Sequence, residues 1–387
     1  MLHLTISGDV FLKSRRTQPR MIARVIDNVR AALAGSDLVP RRIANHRFSV
    51  DTDDAAIADR LARVFGISSV DTVVVVPGND LDRLAVAVAE LNADRVAGRT
   101  FAVRPKRTGR HDWRSHDLAV KVGDLLRAAG GTVDLERPDE TVGVRIVDDE
   151  AYVVIEHRRG AGGLPIGTQG PVLGLVSGGF DSIVALWMMM SRGTAPELVH
   201  FTLNCAQSDH ALAVSHAMWE RWGFGSDPLV HVVEFQEVKE ALLADVDRRM
   251  RQVALKVLMV QAAERIAAER KIEALVTGDA LGQVSSQTLP HLAAISRSVE
   301  IPILRPLVGM TKETIIDVAR RVGTAEISAR AREVCDLSGG GTVATAARTS
   351  AVHRAAELVP EALMAEAVET RKSFRLADWV PGTVLAG

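Results

Sequence analysis

Cysteine is nearly absent from this chain: of 387 residues, only Cys205 and Cys335 carry a thiol. Two thiols cannot supply a zinc site by themselves, and a disulfide scaffold is not expected at this length. Aromatic residues are scarce too, at 4%. That scarcity removes a visible base-stacking platform for single strands, and it favours helices and parallel strands over a β-sandwich. No apolar run approaches the roughly 18 residues of a membrane span, and no charged-then-apolar leader opens the chain. No membrane contact is therefore expected, and the chain reads as cytoplasmic. The formal net charge is −1, which argues against a uniformly basic nucleic-acid binder.

What is present is an ordinary globular composition, 47% hydrophobic and 25% charged, long enough for two or three domains. Charge is unevenly placed. Residues 1–50 carry nine Lys/Arg and three Asp/Glu, whereas residues 51–100 carry five and nine. Lys13, Arg15, Arg16, Arg20, Arg24 and Arg30 crowd one stretch; Arg104, Lys106, Arg107, Arg110, His111 and Arg114 crowd another. Two local patches on a near-neutral chain suit a phosphate backbone held at defined places. Solvated faces are the alternative reading.

Taken in order, residues 2–10 read as a strand and 18–34 as a helix with apolar spacing at Met21, Ile22, Val25, Ile26, Val29 and Leu33. Strands are predicted at 43–50 and 67–76, with a helix at 54–64 between them. A second α+β unit follows, with helices at 80–93 and 116–129 and strands at 100–105, 142–148 and 151–157. Residues 158–170 hold five glycines and one proline and form the clearest linker. Beyond it, strands at 172–176, 197–204, 229–235, 273–276 and 301–304 alternate with helices at 181–192, 208–222, 252–270, 284–297 and 311–322. That alternation predicts a doubly wound parallel sheet with its ligand at the C-terminal strand edge. Residues 343–370 read as helical, and the last dozen carry no strong pattern.

The chain is organised around Pro171–Ser182 (PVLGLVSGGFDS). Val172–Val176 suits an inner parallel strand. Ser177-Gly178-Gly179 has no bulky Cβ to block close approach, and its N–H groups with the following helix N-terminus suit an oxyanion. Ser177 and Ser182 add hydroxyls. Asp181 would repel phosphate unless it held Mg²⁺ or touched a reacting group. A capped strand-to-helix turn is the plain alternative. A second polar stretch, Thr277–Thr288 (TGDALGQVSSQT), sits after a predicted strand; there Gly278 permits close approach and Gln287 offers both donor and acceptor.

Ser177–Ser182 resembles the SGGxDS signature of the PP-loop ATP pyrophosphatases, which split ATP between its α and β phosphates. Thr277–Thr288 is similar to the TGE/DxLGQVxSQT segment of tRNA 4-thiouridine synthetases. Gly8–Ser14 resembles their GExxLKS opening, and Phe101–Arg107 resembles the core strand of a THUMP domain. The resemblance implies an α/β chain with N-terminal ferredoxin-like and THUMP α+β domains, then a doubly wound parallel-sheet PP-loop domain. The divisions fall at 1–77, 78–160, a linker at 161–171, and 172–387.

It further implies adenylation of a tRNA uridine by ATP with Mg²⁺, followed by persulfide sulfur transfer to give 4-thiouridine. Nucleotide contacts carry over to Leu175, Val176, Ser177, Gly178, Gly179, Asp181, Ser182, His200, Phe201, Lys256, Gly278, Gln287 and Lys312. Arg305, in the Arg305-Pro306-Leu307 stretch, would join Lys312 near the phosphates. The catalytic residues expected are Asp181 and Cys335, the latter receiving sulfur as a persulfide; nearby Arg330 and Arg332 would favour its thiolate. The segment around Cys335 departs from the family's PEYCG, with Arg332, Val334 and Asp336 at three places, and Thr311 stands where an Asp usually precedes the lysine. Partners implied are tRNA and a cysteine-desulfurase-type or other persulfide donor, with room for a homodimer. Because the chain ends at Gly387, a form without a rhodanese domain is expected, leaving Cys205 or an external thiol to resolve the persulfide chemistry. A PP-loop ligase or amidotransferase acting on a small molecule, and a non-catalytic THUMP RNA-binding protein, are the alternatives.

Overall fold

The computed structural model describes residues 1–203, 208–330, 337 and 344–381. The chain begins with β1 (Leu2–Ile6), α1 (Gly8–Phe11), α2 (Gln18–Ala32), β2 (Arg41–Ala44), β3 (Arg47–Val50), α3 (Ala55–Ala62) and β4 (Ile67–Pro77). It continues through α4 (Leu81–Val96), β5 (Thr100–Thr108), α5 (Ser115–Ala128), β6 (Thr132–Val133), β7 (Glu140–Val147) and β8 (Glu150–Arg159). Two compact units result. One holds Met1–Leu12, Ala32–Arg63 and Ile67–Gly162; the other holds Lys13–Ala31, Val64–Gly66 and the residues from Gly163 onward.

The first unit carries one eight-stranded sheet in the order β2-β3-β1-β4-β8-β7-β5-β6. Both N-terminal stretches contribute to it, because β4 and β8 pair antiparallel from Ser69↔Arg159 to Pro77↔Glu150. Leu2, Leu4 and Ile6 of β1 are buried in the alternation expected of a strand. Asp54 caps α3, its Oδ1 accepting the Ala56 N–H at 2.7 Å. Leu84, Val88, Phe101, Leu118, Val122, Val142 and Val153 form much of the apolar core between α4, α5 and the sheet. The single strand expected at 43–50 is instead the β2–β3 hairpin, which turns at Asn45-His46. Asparagine suits such a turn, and the Arg42 guanidinium donates to the Asn45 carboxamide oxygen at 3.3 Å.

The second unit is built on β9 (Pro171–Leu175), α6 (Phe180–Ser191), β10 (Ala195–Thr202), α7 (Ser208–Trp222), β11 (Leu229–Glu234), α8 (Gln236–Asp245) and α9 (Arg251–Arg270). Then come β12 (Leu275–Val276), α10 (Leu289–Ser296), β13 (Ile303–Leu304), α11 (Lys312–Val322), α12 (Ala325–Ser328), α13 (Thr349–Glu357), α14 (Glu361–Glu369) and β14 (Lys372–Arg375). The sheet order is β13-β12-β9-β10-β11-β14. Strand order reverses between β9 and β12, and the carboxyl ends at such a point open a crevice. Inner strands are apolar on both faces, with Leu173, Val199 and Val233 fully buried. Much of α9 is buried against them.

Two expectations change here, and one strand appears where none was expected. The helix expected at 284–297 is a 3₁₀ turn, Ser285–Gln287, followed by α10. Val284 and Thr288 are extended, and Pro290 is tolerated only in a first turn, so the helix starts late. The helix expected over 343–370 is α13 and α14, divided where Pro360 takes extended backbone. The stretch after α14 forms β14, antiparallel to β11 from Leu229↔Arg375 to Val232↔Lys372. Lys-Ser-Phe-Arg carries little strand signal, as is common for a short polar edge. Among the described residues, no helix is long and apolar enough to cross a membrane.

Candidate active site

Leu175 ends β9, and the Val176 N–H still donates to the Val199 carbonyl of β10 at 2.9 Å. The chain then turns through Ser177-Gly178-Gly179 into α6. Gly178 has φ +80°, and a Cβ there would stand 2.7 Å from the His210 ring. Glycine is required on both counts. Gly179 caps α6 without a side chain, so the first N–H groups of the helix have no capping side chain and point to an anion. The Ser182 hydroxyl accepts the Ser177 N–H at 3.2 Å and closes the turn. After β12, Gly278 passes so near that an added Cβ would lie 2.5 Å from the Ser182 nitrogen. The two loops therefore form one wall.

Two cation–carboxylate sets flank that wall. Lys312, the first residue of α11, donates to Asp181 at 2.7 and 3.0 Å, and Gln283 donates to the same carboxylate at 2.7 Å. Asp279 is 6% exposed. It accepts from Lys256 and Thr277, each at 2.8 Å, from Arg305 at 3.2 Å and from Gln287 at 3.5 Å. Burial pushes the Asp279 carboxyl up, but Lys256, Thr277 and Arg305 outweigh it and hold it at about 2. His200 is buried; its Nδ1 meets the Val176 carbonyl at 2.9 Å. Burial lowers its pKa, only partly opposed by that bond, so the ring is neutral with its proton on Nδ1.

All of these groups except Arg305 border a cavity of about 810 Å³, within the size of a small-molecule site. Its wall holds buried polar atoms without a partner among the described residues: His200 Nε2, Gln283 Oε1, Ser286 Oγ and Gln287 Oε1. Such atoms cost stability unless a polar ligand meets them, and a nucleotide has the groups to do so. The fit to Mg²⁺ is narrower. A nucleotide-borne Mg²⁺ asks one or two carboxylates of a protein, and Asp181 already accepts from Lys312 and Gln283. No group of three or more His, Cys, Asp or Glu suited to a metal occurs among the described residues.

Of the residues expected at the site, Leu175, Val176, Ser177, Gly179, Asp181, Ser182, His200, Phe201, Lys256, Gly278, Gln287 and Lys312 all border the cavity. Gly178, in the same loop, does not border it. Lys312, read alternatively as a solvated helix end, is ion-paired, as is Lys256. Cys335 and Cys205 lie outside the described residues. Sequence reasoning did not single out Asp279 or Gln283, although both fall inside Thr277–Thr288. The signal was their position, just after a buried strand.

Three family profiles match successive parts of the chain: a ThiI ferredoxin-like domain over residues 4–70, a THUMP domain over 78–156, and Thiamine biosynthesis protein (ThiI) over 167–360. A tRNA sulfurtransferase of Desulfurococcus amylolyticus is 38% identical over 344 residues, spanning 87% of this chain and 70% of that protein. One from Marinobacter nauticus is 34% identical over 384 residues, spanning 97% and 79%. A crystal structure of a 4-thiouridine synthetase–RNA complex with bound ATP matches the fold with a TM-score of 0.83. That match is 24% identical and covers 97% of this chain and 99% of the other. The ferredoxin-like, THUMP and PP-loop order expected from the sequence is thus the order found, and the chain belongs to the tRNA sulfurtransferase (ThiI) family.

Proposed function

We propose that this chain is a tRNA uridine 4-sulfurtransferase that consumes ATP. The observation that carries this reading is the glycine loop at Ser177–Ser182, opening onto a large cavity flanked by Lys256 and Lys312. The triphosphate would lie on the loop and the α6 N-terminus. His200, Ser286 and Gln287 would meet the polar edges of the nucleoside, with Leu175, Val176, Gly278 and Phe201 completing the wall. Attack of the uridine O4 on the α-phosphorus breaks the bond to the bridging α–β oxygen and releases pyrophosphate. Lys312, steered by Asp181, and Arg305 would stabilise the charge that builds on that leaving group. Asp181 would be the carboxylate to hold Mg²⁺ brought with the phosphates, and the ion would supply neutralisation of their charge.

Sulfur then comes from a persulfide on Cys335. Its terminal sulfur attacks C4 and AMP leaves, joining the base to Cys335 through a disulfide. A second thiol, Cys205 or an external one, attacks the Cys335 sulfur, frees 4-thiouridine and leaves a disulfide to be reduced. The donor would be a cysteine-desulfurase-type or other persulfide carrier, and the setting cytoplasmic. The division at 1–77, 78–160, 161–171 and 172–387 assigns RNA capture to the first two parts and chemistry to the last; a homodimer fits the same scheme.

The test is a pair of assays on the whole chain with tRNA. Pyrophosphate release should require tRNA; release without tRNA would favour a small-molecule ligase. Cys335→Ser should abolish thiolation while tRNA binding persists. Full thiolation by that variant with a persulfide donor would remove Cys335 from its role, and no turnover by the native chain would leave only an RNA-binding protein.

A further inference from the structure

Gln283 bridges the Thr277–Thr288 stretch and the first turn of α6. It follows Gly282, whose φ of +77° turns the chain. Backbone bonds hold that turn: the Gly282 N–H donates to the Gln287 carbonyl at 2.8 Å, and the Gln283 N–H to the Ala280 carbonyl at 3.3 Å. The Leu281 N–H donates to the Val308 carbonyl at 3.2 Å, which ties the turn to the stretch leading into α11 and Lys312. From this frame the Gln283 side chain reaches α6, where its Nε2 donates to Asp181 Oδ2 at 2.7 Å. A carboxylate paired with a lysine only accepts, so the amide is fixed with its nitrogen on Asp181 and its oxygen turned away. Lys312 donates to the same carboxylate at 2.7 and 3.0 Å. Asp181 thus has one charged and one neutral donor, and all three residues border the cavity.

The two donors differ in what a phosphate does to them. An anion draws a lysine, and the Lys312 side chain is 40% exposed and can swing toward it. A neutral amide is drawn far less, so Gln283 stays on the carboxylate. Without Gln283, Asp181 would keep Lys312 as its one side-chain donor among the described residues and would release it less readily. We propose that Gln283 is a positioning residue for adenylation: it holds Asp181 in place while Lys312 passes to the departing pyrophosphate. This rests on the ATP-consuming reading above. The turn does not need the side chain, because its bonds run from backbone to backbone. The rest of the amide adds nothing to the empty protein, since Gln283 Oε1 is buried without a partner among the described residues, and such an acceptor costs stability. An apolar side chain of similar size removes that cost along with the bond to Asp181, so stability and rate respond differently.

The experiment compares Gln283→Leu and Gln283→Glu with the native full chain. It measures tRNA-dependent pyrophosphate release at saturating ATP, the ATP dissociation constant from titration without tRNA, and thermal unfolding without ligand. In Gln283→Leu, release should fall about tenfold while ATP affinity changes less than about threefold, and the midpoint of unfolding should not fall. Gln283→Glu keeps the shape but cannot donate while ionised, and its carboxylate competes for Lys312. Release should therefore fall further, about a hundredfold. A side chain that only fills space ranks glutamate above leucine. That order, unchanged release in Gln283→Leu, or a loss of rate matched by an equal loss of ATP affinity or of folded protein would overturn the proposal. A native chain that releases no pyrophosphate with tRNA fails the reading above as well, whereas native release with indifferent Gln283 variants fails this inference alone.

Discussion

Asp279, buried just after β12, and Glu197, half-buried in β10, are carboxylates of the C-terminal unit that are both held at about 2. Burial pushes each upward, and hydrogen-bonding partners reverse the push. For Asp279 these are Lys256 and Arg305; for Glu197 they are His231 at 3.1 Å and a two-pronged Arg270 at 3.0 and 3.1 Å. Their positions differ. Asp279 follows the carboxyl end of β12 and shares its lysine with the cavity. Glu197 lies early in β10, where His231 passes the contact on to Ser373 of β14 at 2.8 Å. One cluster borders the cavity; the other staples an edge strand to the sheet. A depressed pKa alone does not mark a functional residue, and the end of the strand on which the residue sits decides between the two.

The comparison is broken most forcefully at Lys256. Lys256→Met leaves Asp279 buried with Arg305 as its one remaining cation, and the cost should be about 3 kcal/mol in denaturant unfolding. Pyrophosphate release should also be lost at temperatures where the variant is folded. Gly278→Ala comes next. Its Cβ would collide with backbone at Ser182, for a cost of about 1–3 kcal/mol, together with the displaced phosphate loop and lost turnover. Retained turnover in either variant would separate the wall from the chemistry.

Acid titration sharpens the contrast. Both carboxylates have folded values below their unfolded ones, near 4, so each stabilises the fold above that pH and loses its contribution as pH falls toward 2. Asp279→Asn should remove about 2 kcal/mol at neutral pH and flatten stability across that window, with turnover impaired as well. Glu197→Gln should flatten the same window with a smaller loss, about 1 kcal/mol because the cluster is partly screened by water, and turnover per folded molecule should be unchanged. Impaired turnover in Glu197→Gln would erase the distinction between the two clusters.

Much of this was legible in the sequence because local rules and global fold agree there. The β9–loop–α6 unit shows an apolar run, two glycines and a helix start, each forced by its own physics. Thr277–Thr288 was legible as polar density after a strand, but not the division of labour inside it: that Asp279 gathers Lys256 and Arg305 depends on α9, β12 and β13 meeting in space. The break at Pro290 follows from proline chemistry, yet helical periodicity over 284–297 masked it. β14 was hidden for another reason. Its four residues owe their strand to the partner β11 and to the His231–Ser373 contact, neither of which periodicity reports. The single sheet spanning the ferredoxin-like and THUMP stretches likewise rests on the long β4–β8 pairing, a contact between segments some 80 residues apart in sequence.

The most direct test of the central claim is product analysis of ATP turnover by the intact chain, with and without tRNA. The account predicts pyrophosphate in the presence of tRNA, near-silence in its absence, and free AMP together with 4-thiouridine only when a persulfide donor is added. ADP and inorganic phosphate as products, or AMP formed equally well without tRNA, would contradict it.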